Sequence, residues 1–126
     1  MMIRDFKSVV LTSKTPDRTA AFYRDVLDIP LEEERHKGTE KHWACQVGSL
    51  HFAVHDESTF WLPCDTTPRS STIVSFTVDD LAPVVARLEQ RGVEVVARNK
   101  IGPMSFIALR DPDGRHVCLG TPWPSS

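Results

Sequence analysis

Hydrophobic and polar positions alternate with a period of two through residues 6–12, 42–47, 50–55 and 72–78, which predicts strands with one face toward a core. Two other stretches repeat their apolar residues at helical spacing. The first, over 15–28, carries Phe22, Tyr23, Val26 and Leu27 and starts on Thr15-Pro16-Asp17. Thr15 stands where an N-cap belongs, Pro16 suits the first helical position, and Asp17 suits the positive end of the helix dipole. Pro30 ends it. The second, over 79–91, carries Leu81, Val84, Val85 and Leu88, is capped by Asp79 or Asp80, and stops at Gly92 in the left-handed position. Short strands are expected at 31–35, where Glu32-Glu33-Glu34 guards an edge, and at 93–97.

Two hairpins set the faces. A two-residue turn at Gly48-Ser49 pairs Gln46 with His51, Ala44 with Ala53 and His42 with His55. Trp43, Cys45, Val47, Leu50, Phe52 and Val54 then form an apolar face, and His42, Ala44, Gln46, His51, Ala53 and His55 the opposite one. The second hairpin turns at Asp111-Pro112-Asp113-Gly114, where every residue is a turn former. Read as a four-residue loop, it pairs Arg110 with Arg115, Leu109 with His116, Ala108 with Val117 and Ile107 with Cys118. Phe106, Ala108, Val117 and Leu119 are then expected in the core. Ile107, Leu109, His116 and Cys118 are expected on the mixed face.

Strand, capped helix, edge strand and hairpin occur twice. The distance from Ser8 to Asp28 is 20 residues and from Ile73 to Gly92 is 19, so the chain reads as two tandem βαβββ modules of an α+β fold. Module one spans about 6–55, a linker anchored by Phe60-Trp61 about 56–71, and module two about 72–120, within a single domain of 1–126. One helix per module covers one face of a four-stranded sheet. Two concave mixed sheets brought together would enclose a groove lined by their remaining faces.

Composition narrows the function classes. A net charge of −2 supplies no basic field for nucleic acid and no polybasic membrane patch. No apolar run reaches the length of a membrane span, and Met1-Met2-Ile3-Arg4-Asp5 does not read as a signal peptide, so a cytoplasmic location is expected. Cys45, Cys64 and Cys118 form no C-x-x-C pair and are expected as reduced thiols.

The stretch LTSKTPDRTAAFYRDVLDIPL, with its Phe22-Tyr23-Arg24-Asp25-Val26-Leu27, resembles the opening βα segment of the vicinal oxygen chelate superfamily of glyoxalases, bleomycin-resistance proteins and extradiol dioxygenases. Thr77-Val78-Asp79-Asp80 and Asp111-Pro112-Asp113-Gly114 resemble markers of its second module. That resemblance implies the paired-module fold and leaves the reaction open, because one scaffold carries many activities. It also implies a homodimer that builds or caps the groove. Asp28 stands where the family usually has Gly after the helix, and Asp can take the left-handed conformation. The metal ligands of metal-dependent members would fall at Ser8, near His51 or Ala53, at Ile73 and at Cys118. Only His51 and Cys118 are metal donors, so no cofactor is expected at that place.

Gln46, His51, Ser75, Thr77, His116 and Cys118 are the expected ligand-binding residues, hydrogen-bonding groups among the apolar walls Val10, Ile73, Ile107 and Leu109. An alternative is a divalent metal between His42 and His55, with His51 nearby. His116 beside Cys118 raises a thiolate reading, against the default of an inert thiol. Trp61 and Trp123 suit the groove mouth, a dimer interface or ordinary packing. Two function classes follow: a metal-free protein that binds a small organic molecule, and a metal-dependent lyase, isomerase or dioxygenase with displaced ligands.

Overall fold

A computed structural model describes residues 2, 4, 6–35, 41–59, 73–101 and 103–122 of the chain. It divides into two units, Met1–Thr66 and Thr67–Ser126. Each holds a four-stranded mixed sheet and one helical segment, which makes the fold α+β with the βαβββ plan repeated. The expected linker anchor Phe60-Trp61, together with Cys64 and Trp123, lies outside the described residues. Among the described residues no helix is long and apolar enough to cross a membrane.

In the first unit β1 (Ser8–Ser13) leads into α1 (Pro16–Ala21), which continues as a wider π-helical turn over Phe22–Val26. β2 (Glu32–Glu34), β3 (His42–Val47) and β4 (Leu50–Asp56) complete a sheet of order β1-β4-β3-β2. β1 runs parallel to β4, and β3 is antiparallel to both its neighbours. The register expected for the Gly48-Ser49 hairpin is present, with Gln46 opposite His51 and Ala44 opposite Ala53. The helix start differs from expectation, because the Thr15 side chain makes no capping bond. The Ser13 hydroxyl accepts the Thr15 N–H at 2.9 Å and shares a 3.1 Å bond with the Thr19 hydroxyl. Ser13 and Thr19 are buried, so the bond ties the end of β1 to α1. Asp28 closes the segment in the left-handed region at φ 60°.

The core of this unit lies where the alternation puts it. Tyr23 is fully buried and meets Phe52 edge-on, with ring centroids 5.3 Å apart. Trp43 Nε1 donates to Asp17 of α1 at 2.8 Å. Leu11, Phe52 and Val54 therefore sit on the helix side.

The second unit runs β5 (Ile73–Thr77), α2 (Leu81–Gln90), β6 (Ala97–Ile101), β7 (Met104–Arg110) and β8 (His116–Gly120), with sheet order β5-β8-β7-β6. The Asp80 carboxylate caps α2 by accepting the Ala82 N–H at 3.2 Å, and Gly92 ends it at φ 66°. Two expectations are corrected here. The strand expected at 93–97 begins at Ala97 and continues to Ile101, because the ladder pairs Ala97 with Ala108 and Ile101 with Met104. Its charged run Arg98-Asn99-Lys100 conceals a strand from a hydrophobic pattern.

The second correction is a one-residue slip in the last hairpin. Arg110 pairs with His116, Leu109 with Val117, Ala108 with Cys118 and Ile107 with Leu119. The loop is five residues long, since Arg115 belongs to it. Oδ1 of Asp111 accepts the N–H groups of Asp113 and Arg115, at 2.9 and 3.0 Å, and its other oxygen takes the Arg115 guanidinium. Ile107 and Leu109, at 3% and 0% exposure, join Val74, Val117 and Leu119 in the core. Phe106 and Ala108 move to the other face, and Ile107 and Leu109 leave the face that His116 and Cys118 share.

Candidate functional site

Each sheet keeps one face away from its buried side. In the first unit, alternation from Phe52 and Trp43 places Ser8, Val10, Thr12, His42, Gln46, His51 and His55 on the side opposite α1. That face is uneven: His42, Ala44, Ala53 and His55 are buried, His51 is half-buried and Gln46 is exposed. In the second unit, Ile73, Ser75, Thr77, His116 and Cys118 share the face opposite Val74 and Val117. Ile73 is 59% exposed, an apolar side chain held in solvent beside polar ones. Phe106 and Ala108 belong to this face and were hidden from the sequence by the hairpin slip.

Gln46 and His51 therefore form a pair on the first unit's sheet, and Ser75, Thr77, His116 and Cys118 a group of four on the second unit's sheet. Register puts Gln46 directly opposite His51, and Ser75 directly opposite Cys118. None of the six spends its side chain on a hydrogen bond or ion pair among the described residues. Their donors and acceptors remain available to a ligand. The Cys118 thiol and the His116 imidazole share a face without a bond between them, so the structure shows no thiolate–imidazolium pair.

His42 and His55 behave differently from these six. His42 and His55 stack with ring centroids 4.3 Å apart and planes within 9°, and His42 Nε2 lies 3.1 Å from Glu34 Oε2. In this geometry the two rings make a stacking contact, and their in-plane lone pairs run in parallel planes. Among the described residues no three His, Cys, Asp or Glu side chains gather to hold a metal. The positions that correspond to the superfamily's metal ligands fit the ion poorly by their chemistry. Ile73 has no donor atom and Ser8 offers only a hydroxyl, which leaves Cys118 and, where the second position falls at His51 rather than at the buried Ala53, two donors in all.

Two groups of the first unit, Asp17 and Cys45, are shifted by their surroundings. Hydrogen bonds from Trp43 and then Lys41 hold the Asp17 carboxyl below the usual carboxylate range. Burial, with the Glu32 charge added, pushes the Cys45 thiol up.

The glyoxalase-like domain family matches residues 8–120. Comparison of the sequence with curated proteins gives no match. Among solved structures, the chain is similar to the virulence protein STM3117 from Salmonella typhimurium at 23% identity and TM-score 0.73, covering 96% of this chain and 98% of that one. It is similar to TnmS3, an antibiotic binding protein from Streptomyces sp. CB03234, at 21% identity and TM-score 0.75, covering 98% and 99%. Lactoylglutathione lyase from Agrobacterium tumefaciens follows the same fold at 19% identity and TM-score 0.71, covering 93% and 92%. At these identities the likeness speaks for the fold.

Proposed function

The chain belongs to the glyoxalase-like domain family of the vicinal oxygen chelate superfamily, and on that premise we propose that it binds a small organic molecule on a sheet face that lies away from its unit's helix, without the superfamily's usual metal. The observation that carries this reading is the set of six unspent side chains described above, standing beside the apolar Val10 and Ile73. A few placed polar groups within an apolar surround are what small-molecule sites require. The similarity to an antibiotic binding protein supports a ligand of drug size. The donor set at the superfamily's ligand positions supports the metal-free form.

A homodimer belongs to the same reading. Each sheet ends in two edge strands, β1 and β2 in one and β5 and β6 in the other, and pairing with a second copy removes an exposed edge. Sedimentation at micromolar concentration is expected to give twice the chain mass; a species of monomer mass alone would count against it.

A ligand library screened by thermal shift on wild type, Gln46→Ala and His51→Ala tests the binding site. Both side chains lie outside the core, so both variants are expected to keep the unliganded midpoint, within about 0.5 kcal/mol of stability. Hits are expected to stabilise wild type and to lose most of that effect in the variants. Equal shifts in all three proteins would remove His51 and Gln46 from the site. Elemental analysis finding one equivalent of Zn, Ni, Mn or Fe, lost in His51→Ala, would replace the metal-free reading with a metalloenzyme.

A further inference from the structure

The helix side of the second sheet carries a cleft of about 690 Å³ between the start of α2 and the β6–β7 pair. Its apolar floor is Leu81 and Val85 of α2 with Ile107 of β7, and Arg98 and Lys100 of β6 stand at its rim. The cleft exists because α2 is anchored at its far end. Leu88 is fully buried there, and its carbonyl accepts the Val93 N–H at 2.9 Å, whereas Leu81 and Val85 nearer the start are half-buried. β6 pairs Arg98 with Ile107 and Lys100 with Ser105, so both cations project to the face that holds Ile107.

Neither Arg98 nor Lys100 has an ion-pair or hydrogen-bond partner among the described residues, and Asn99 between them spends its amide on nothing. Two residues apart on one strand face, they sit about 7 Å from each other and repel. Charges that only guard a sheet edge from pairing need no apolar floor beneath them. Here the floor is present, and the volume falls within the range of small-molecule sites, about 300–1,000 Å³.

We propose that this cleft is a second binding site, separate from the faces assigned above, and that it takes a small organic anion. The ligand has an apolar ring or short chain lying on Leu81, Val85 and Ile107. It carries a carboxylate or sulfonate held by Arg98 and Lys100. The guanidinium meets such a planar anion with two parallel N–H donors, and the ammonium supplies a point charge. The anion relieves the repulsion between the two side chains.

The test is a titration of methyl-labelled protein, followed by nuclear magnetic resonance, with a naphthalenesulfonate and with the uncharged naphthylmethanol. The sulfonate is expected to shift the methyl signals of Leu81, Val85 and Ile107 to saturation at one equivalent. Its affinity is expected to fall about tenfold or more in Arg98→Gln/Lys100→Gln, and the alcohol is expected to bind wild type more weakly by a similar factor. Both substituted side chains are exposed, so the double variant keeps its fold. In His51→Ala the sulfonate is expected to bind unchanged, which separates this site from the proposed function. Absence of saturable shifts, equal affinity in the double variant, or equal affinity for the alcohol would each overturn the proposal. So would shifts confined to Ile73 and the face it shares with Ser75.

Discussion

The carboxylate of Asp111 and the guanidinium of Arg115 form a buried ion pair at the tip of the last hairpin, and the same carboxylate accepts the Arg115 N–H at 3.0 Å. The Arg115 carbonyl in turn accepts the Asp111 N–H at 2.9 Å. Two residues thus clamp a five-residue loop from both backbone and side chain. The clamp decides which residues of β7 enter the core.

Removing the Asp111 carboxylate takes from the buried Arg115 guanidinium the shorter of its ion pairs with Asp111 and Asp113, the latter at 3.7 Å, and takes the acceptor of two loop N–H groups. Asp111→Ala is expected to cost about 3–5 kcal/mol of unfolding free energy. Urea denaturation measures it; a loss below about 1 kcal/mol would show that the loop holds its register without the pair.

The contact between Tyr23 and Phe52 joins the π-helical turn to β4 in the first unit. Phe52→Ala is expected to destabilise by about 3–5 kcal/mol, as for truncation of a buried aromatic. A double-mutant cycle with Tyr23→Leu and Phe52→Leu is expected to give a coupling of about 0.5–1.5 kcal/mol. Additive effects would mean that the rings contribute area alone.

Asp17 makes stability dependent on acid pH. Its carboxyl is held below the ordinary value of 3.8 by Trp43 and Lys41, so the folded state favours the ionised form more than the unfolded state does. The contribution is fully present above 3.8 and is lost as pH falls through the lower, folded value. Because Asp17 is largely exposed and screened, Asp17→Asn is expected to cost no more than about 1 kcal/mol at pH 7. Denaturation followed by tryptophan fluorescence is expected to show that difference shrinking toward zero in strong acid. A constant difference across the range would refute the assignment.

Cys45 is expected to be a slow thiol. Burial and the Glu32 charge both disfavour its thiolate. Mass spectrometry after iodoacetamide treatment at neutral pH is expected to find Cys45 modified much more slowly in the folded chain than in the urea-unfolded chain. Glu32→Gln is expected to quicken the folded reaction modestly. Equal rates in the folded and unfolded chains would place the thiol in an environment no different from water.

The sequence by itself determined the repeat, the two helices and the faces of β3 and β4. A two-residue turn leaves one register, and one-face alternation then sorts Phe52 from His51 without reference to anything distant. It also marked Asp28 and Gly92 as left-handed helix ends, because few residues accept that backbone. Tertiary structure decided what depended on partners far along the chain or on charges that turn inward. Arg115 reads as a strand residue until the buried Asp111 draws it into the loop, and that single residue moves Ile107 and Leu109 from the expected site into the core. Arg98 and Lys100 fall beyond the strand expected at 93–97, and only pairing with β7 places them in one. The pairing of His42 with His55 was legible from the hairpin, but only packing around the rings sets them face to face. Hydrophobic periodicity reports which side of a strand is buried; it carries no signal for a polar side chain whose partner is supplied by the fold.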